Sequence, residues 1–275
     1  MKNLLLRTLT GILYVALITG SILLNQYTFL FLFSVAVFLC LQEFYRLINV
    51  YKKIKINVGY NSIGGVLLFV ATYLYTSGTF SFAVVVVYLF YLAVLLISSL
   101  YIKHSDTVAY LAYTFLGQCY VALPFSLLNL LVFPNHSPEG VYYHSFLLSL
   151  FVFIWVNDTG AYAVGMLFGK HRLFPRISPK KSWEGFFGGL ILTVASAFVF
   201  ARFNTGISFY HWINISFFVV LFGTWGDLIE SLLKRTLGIK DSGNALPGHG
   251  GFLDRFDSML LAVYGALLYV QLIQN

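Results

Sequence analysis

The feature that most limits what this chain can become is a series of long apolar stretches, separated by short polar ones, running from one end to the other. A helix needs about 20 largely apolar residues to cross a hydrocarbon core, and about nine stretches qualify. They lie at approximately 8–24, 28–48, 60–76, 80–101, 108–132, 144–168, 186–203, 210–226 and 255–273, and apart from Asp158 in the sixth their interiors read as almost free of charge. Only 10% of the 275 residues are charged, against roughly 25% in an average soluble protein. Where no water reaches the backbone, each segment must satisfy its own N–H and C=O groups, so unbroken apolar runs of this length imply helices. The chain is therefore predicted to be an all-α integral membrane protein of about nine transmembrane helices in one bundle. No repeat, low-complexity segment or hydrophilic stretch long enough for a soluble domain interrupts the series.

The net charge of +7 admits either nucleic acid or anionic lipid as a partner. The basic residues fall between the apolar spans and form no long run interleaved with aromatics, which argues against nucleic acid and for an inner-leaflet position. They also alternate. Lys2 and Arg7 precede the first span, and Arg46, Lys52, Lys53 and Lys55 flank or fill the second loop. Lys103 lies in the fourth, Lys170, Arg172, Arg176, Lys180 and Lys181 in the sixth, and Lys234, Arg235, Lys240 and Arg255 in the eighth. Arg202 stands alone on the other side. Short cytoplasmic loops collect Lys and Arg, so the amino terminus is predicted to be cytoplasmic and the carboxyl terminus outside, in the inner membrane. No A-x-A-like cleavage site follows the first stretch, which is read as a retained helix. Cys40 and Cys119 sit in apolar runs without a CxxC pair, and both are read as buried filler.

Acidic residues divide the chain functionally. Asp158, Glu184, Asp227, Glu230, Asp241, Asp254 and Asp257 all lie beyond residue 143. Residues 1–143 are expected to be scaffold helices, and residues 144–275 to carry a cytoplasm-facing pocket.

Within the second part, Asp227, Glu230, Ser231, Lys234 and Arg235 recur at helical spacing and make one polar stripe, with Gly238 as its stop. Paired charges on a solvated face would give the same pattern. Beyond it come Lys240-Asp241-Ser242-Gly243, Leu246-Pro247-Gly248-His249-Gly250-Gly251 and Asp254-Arg255-Phe256-Asp257. Glycine density lets backbone N–H groups approach an anion closely. Asp254 and Asp257 share a helical face at the mouth of the bundle. Carboxylates at that depth are costly unless paired or liganded. An all-carboxylate, water-rich site suits Mg²⁺ rather than zinc, while pairing with Arg255, Arg235 or Lys234 is the plainer alternative. His249 is the histidine in this cluster, read as a phosphate contact or a shaper of the glycine turn rather than a metal ligand.

The sixth loop contains Ser178-Pro179-Lys180-Lys181-Ser182-Trp183-Glu184-Gly185, which places two ammonium groups and two hydroxyls before a helix start that favours anions. It lacks the order of a Walker loop. Asp158 is expected to face the bundle interior, and Gly160, Gly165 and Gly169 to permit close helix approach.

The ordered set Ser231-Leu232-Leu233-Lys234-Arg235, Lys240-Asp241, Leu246-Pro247, His249-Gly250-Gly251 and Asp254-Arg255-Phe256-Asp257 closely resembles the carboxyl-terminal motif of the CDP-diacylglycerol synthases, or phosphatidate cytidylyltransferases. Asn157-Asp158-Thr159-Gly160-Ala161-Tyr162 and Ile177–Gly185 are similar to further segments of that family, so its motifs cover about residues 155 to 258. Ser182 stands where many relatives carry threonine and keeps the hydroxyl.

The resemblance implies transfer of a cytidylyl group from CTP to phosphatidic acid in the bilayer, giving CDP-diacylglycerol and pyrophosphate, with Mg²⁺ as cofactor. It assigns Asp227 and Asp254 to metal, with Asp257 as a further ligand or orienting group. Lys234, Arg235, Lys240, Asp241 and Arg255 become catalytic candidates, and Lys180, Lys181, Ser182, Ser231, His249, Gly250 and Gly251 substrate-binding ones. A related lipid nucleotidyltransferase or a CTP-dependent polyprenol kinase would use mostly the same residues. A transporter binding a coupling ion at Asp158 fits less well, because the ionisable groups gather at one face rather than at the midplane. A homodimer stays open.

Overall fold

A computed structural model describes residues 2–102, 106–134, 141–243 and 250–274. Its helices start and stop where the sequence supplies caps. One residue, Asn25, separates α1 (Lys2–Leu24) from α2 (Gln26–Lys52). The Asn25 side chain accepts from the N–H groups of Tyr27 and Thr28 at 2.9 Å each, and Thr28 Oγ1 accepts from the Asn25 N–H at 3.2 Å. This reciprocal box satisfies donors that the helix itself cannot. α2 ends at Lys53, which adopts a left-handed φ of 56°. Asn57 and Asp106 cap α3 (Val58–Thr76) and α5 (Thr107–Gly117), and α4 runs over Ala83–Tyr101.

The fifth expected span is one helical run with a change of pitch: α5, a π turn over Gln118–Ala122, and α6 (Leu123–Val132). Pro124 removes a backbone donor there, and the wider turn immediately precedes it. Cys119 falls in that turn and is exposed, not buried as its apolar setting suggested, whereas Cys40 is buried. α7 (His144–Phe168), α8 (Trp183–Phe203), α9 (Phe209–Thr236) and α10 (Leu253–Gln274) complete the series. Among the described residues eight helical segments are long and apolar enough to cross a membrane, and the described apolar part of α1, Thr8–Leu24, is shorter. The protein is a multi-pass, all-α membrane protein.

Two local features go beyond the apolar pattern. The sixth loop is not irregular: β1 (Arg172–Phe174) and β2 (Ser178–Ser182) form an antiparallel hairpin with Arg172 opposite Ser182 and Phe174 opposite Ser178. α9 continues to Thr236, so the polar stripe belongs to the same helix as the eighth span. It stops as the sequence predicts. Gly238 has φ +75°, Ile239 N–H donates to Lys234 C=O and Gly238 N–H to Arg235 C=O, each at 3.0 Å, the paired bonds of a glycine-terminated helix.

The chain forms two compact units, residues 1–143 with 241–255, and residues 144–240 with 256–275. In the first, Phe29, Phe33, Phe69 and Phe125 pack ring on ring in a fully buried core. Beside them is a buried polar network. Gln118 Nε2 donates to Tyr45 Oη at 2.9 Å and Asn61 C=O at 2.8 Å, Tyr88 donates to Gln118 Oε1 at 3.2 Å, and Tyr91 to Asn61 Oδ1 at 2.9 Å. Each polar atom in this chain is costly in hydrocarbon unless bonded, and the network meets that requirement. The second unit is organised by glycines. A Cβ on Gly189 would lie 2.9 Å from the Asn157 carbonyl oxygen, and one on Gly185 2.8 Å from that of Ala161, so α7 and α8 meet almost backbone to backbone. Gly160 and Gly165 face the same seam. Gly226 brings α9 equally close to α10, where a Cβ would sit 2.6 Å from Asp257 C=O.

Candidate active site

The second unit holds a cavity of about 640 Å³. Its polar wall consists of Asn157 and Asp158 from α7, Arg172, Lys180, Lys181 and Ser182 from the hairpin, and Asp227 from α9. Asp158 is exposed on this wall rather than packed among helices. Asn157 is 7% exposed, and its Oδ1 has no hydrogen-bond partner among the described residues.

The hairpin is what turns a basic loop into a wall. Glu184, in the first turn of α8, accepts from Lys170 N–H at 3.1 Å and from His171 N–H at 3.1 Å, and meets His171 Nδ1 at 2.6 Å. Trp183 N–H donates to His171 C=O at 2.9 Å. These bonds clamp the base of the hairpin onto the start of α8. Ser182 is the N-cap of that helix, its Oγ accepting from Gly185 N–H at 3.1 Å, and it is buried. Its hydroxyl therefore serves helix geometry as well as the cavity wall. Lys180 remains exposed, with its C=O turned toward Arg172 Nη1 at 3.5 Å.

Lys181 reaches across to α9 and ion-pairs with Asp227, whose other oxygen accepts from Ser231 Oγ at 3.3 Å. The cation beside Asp227 is thus a lysine from the hairpin, not one of the arginines that follow in sequence. Asp257 lies within electrostatic reach of Asp227, Asp158 and Lys181, and its Oδ1 accepts from Ser258 N–H at 2.6 Å. These carboxyl groups share Lys181 as a nearby cation, and Arg172 and Lys180 line the same cavity. Further along α9, Lys234 pairs with Glu230, which is 0% exposed, at the i,i+4 spacing. Arg235 is exposed, with its guanidinium turned to the carbonyls of Ile177 at 3.4 Å and Ile239 at 3.2 Å, and Lys240 is exposed.

The remaining motif residues belong to the first unit. Asp254 Oδ2 accepts from Ser242 N–H at 3.0 Å and Gly251 N–H at 2.8 Å. Gly250 has φ +83°, and Arg255 C=O accepts from Tyr14 Oη at 3.0 Å. Asp241 is exposed next to buried Ser242. His249 lies outside the described residues. Among the described residues, the N–H groups of Ser242, Gly251, Phe252 and Leu253 are directed at protein carboxylates, one of which was not expected: Glu43 of α2. A charge inside an apolar span was the available signal, and the span interiors were read as almost free of charge apart from Asp158.

Among the described residues no three His, Cys, Asp or Glu side chains converge closely enough to hold an ion by themselves. The donors are nevertheless of the right kind. Mg²⁺ keeps several waters and is bound through one or two carboxylates plus substrate phosphates, so Asp227 with Asp257 and Asp158 nearby fits such an ion without forming a closed cage.

Fold and site together define a polytopic helical membrane protein with a cation-lined, carboxylate-bearing cavity, a combination suited to anionic, phosphate-bearing ligands. The chain belongs to the Cytidylyltransferase family, whose sequence model matches residues 5–273. It is similar to proteins named phosphatidate cytidylyltransferase: 41% identical over 162 residues to one from Staphylococcus aureus (strain COL), covering 57% of this chain and 59% of that protein. A Staphylococcus haemolyticus (strain JCSC1435) protein of the same name is 42% identical over 161 residues, 57% of this chain and 58% of its own length. The aligned segment thus spans less than two thirds of these relatives.

Proposed function

We propose that the protein transfers a cytidylyl group from CTP to phosphatidic acid, forming CDP-diacylglycerol and pyrophosphate in phospholipid biosynthesis. The observation that carries this reading is the cavity wall that Lys180, Lys181 and Arg172 share with Asp227, with Lys181 and Asp227 ion-paired, in a chain whose relatives bear the name of that activity. An oxygen of the lipid phosphate attacks the α-phosphorus of CTP, the bond from that phosphorus to the bridging oxygen of the β-phosphate breaks, and pyrophosphate leaves with the electron pair. A phosphate monoester has a second pKa of about 6 and is mostly dianionic at neutral pH, so no general base is needed. The task left to the protein is to bring anions together.

In this reading Lys180, Lys181 and Arg172 receive phosphate oxygens, and Lys234, Arg235, Lys240 and Arg255 steady the leaving group. Asp227, Asp254 and Asp257 are the residues that would hold Mg²⁺. When bound, that ion supplies neutralisation of the reacting phosphates. Ser231, bonded to Asp227, orients its carboxylate. The Lys and Arg distribution supports a cytoplasmic amino terminus, an outside carboxyl terminus and a pocket open to the cytoplasm of the inner membrane.

Detergent-purified protein given labelled CTP, phosphatidic acid and Mg²⁺ tests the proposal. Labelled CDP-diacylglycerol with release of pyrophosphate is expected. Release of CDP with a phosphorylated lipid would replace it with a kinase.

A further inference from the structure

Glu43 stands in the amino-terminal half, on α2, far in sequence from every motif residue. Its carboxylate nevertheless gathers both edges of the glycine-rich segment. Ser242 Oγ donates to Oε1 through a short hydrogen bond, while Phe252 N–H at 2.6 Å and Leu253 N–H at 3.3 Å donate to Oε2. Leu253 N–H opens α10 and Phe252 N–H immediately precedes it, and donors at a helix start have no partner within the helix and favour a negative charge. Glu43 is therefore a cap for α10 supplied by another helix.

The glycines of the motif follow from this. A Cβ on Gly251 would overlap the Glu43 carboxylate, and one on Gly243 would lie 2.7 Å from Oε1. Asp254 fastens the same two edges from the other side through Ser242 N–H and Gly251 N–H. Ser242 is 3% exposed, held between the two carboxylates. Asp241 precedes it directly, and Asp254 and Arg255 occupy the helical turn that Glu43 caps.

We propose that Glu43 is a positioning residue for the transfer reaction, setting the geometry of Asp241, Asp254 and Arg255 without touching substrate. The proposal rests on the cytidylyltransferase reading above, and part of its test does not.

The variants are Glu43→Ala and Glu43→Gln. A carboxamide oxygen can still accept from Phe252 and Leu253, and its NH₂ can donate to Ser242 Oγ, so Gln preserves the clamp and Ala removes it. Hydrogen exchange is measured on the full-length protein in detergent. The amides of Gly251, Phe252 and Leu253 should exchange faster in Glu43→Ala, while those of α7 and α8 keep their rates. In steady-state assays Glu43→Ala should lose about a hundredfold in kcat, the scale expected when reacting groups are misplaced by about 1 Å, with KM for CTP changed far less. Glu43→Gln should stay within about fivefold of the parent, since its hydrogen bonds remain.

Equal damage from Gln and Ala would overturn the proposal, because charge rather than geometry would then be what matters. Unchanged exchange at 251–253 in Glu43→Ala would overturn it as well. A parent protein that forms no CDP-diacylglycerol would instead defeat the proposed function, leaving the exchange result to decide the clamp.

Discussion

Lys181 and Asp227 form an ion pair in which each side chain remains about a quarter exposed, 28% and 27%. The pair lines the cavity, where loss of either charge can be read separately in stability and in turnover. Lys181→Gln and Asp227→Asn are each expected to melt close to the parent in detergent, while turnover falls about a hundredfold, as when a preorganised charge is removed. A fall in melting temperature that tracked the loss of turnover would make the pair structural.

Lys234 and Glu230 pose the opposite case, because Glu230 is fully buried and Lys234 only 14% exposed. Removing one partner strands a buried charge, at a cost of about 3–5 kcal/mol. Lys234→Gln should therefore be markedly less stable, and adding Glu230→Gln should restore most of the lost stability. The double variant then isolates the catalytic question. If it melts normally and still turns over poorly, Lys234 acts on phosphate; full activity would confine it to neutralising Glu230.

The fold was largely legible because each span is decided locally, by apolar length and by caps such as Asn25, Asp106 and Gly238 that lie within a few residues of the helix they end. The site was legible only as an inventory. Stripe and glycine spacing singled out Asp227, Ser231, Lys234 and Asp254, but partner choice depends on contacts across many residues. Lys181 meets Asp227 because the sixth loop folds into a hairpin clamped by Glu184, and nothing in a run of basic residues encodes that register. Glu43 was hidden for the same reason: its partners lie some 200 positions away, at separations of 199, 209 and 210.

Gly189 tests the packing of the second unit. With a Cβ placed 2.9 Å from Asn157 C=O, a leucine has no room on the α7–α8 seam. Gly189→Leu is expected to lower the melting temperature sharply, by the overpacking cost of about 1–3 kcal/mol or more. A parent-like melting curve would mean the two helices are free to separate there.

Sidedness can be checked with fused reporters. Those placed after Phe203 and at the carboxyl terminus should report the outside, and those in 170–182 and 238–243 the cytoplasm. A cytoplasmic carboxyl terminus would remove one span from the alternation and refute the orientation drawn from the basic loops.

The metal assignment rests on carboxylates whose charge can be removed one at a time. Chelation should abolish turnover and added Mg²⁺ should restore it. Mg²⁺ should also raise the melting temperature of the parent, because a ligand that binds only the folded state stabilises it by mass action. Asp227→Asn removes the charge that attracts a hard cation while keeping the size and the Ser231 contact, so its melting temperature should not respond to Mg²⁺. Asp254→Asn is the finer test. Its amide oxygen can still accept from Ser242 and Gly251 N–H, which keeps the glycine segment fastened while the charge is lost. A stable Asp254→Asn protein with little turnover and no thermal response to Mg²⁺ would bear out the assignment. Near-normal turnover of both variants at saturating Mg²⁺ would defeat it, leaving Asp254 as a loop fastener and Asp227 as the partner of Lys181.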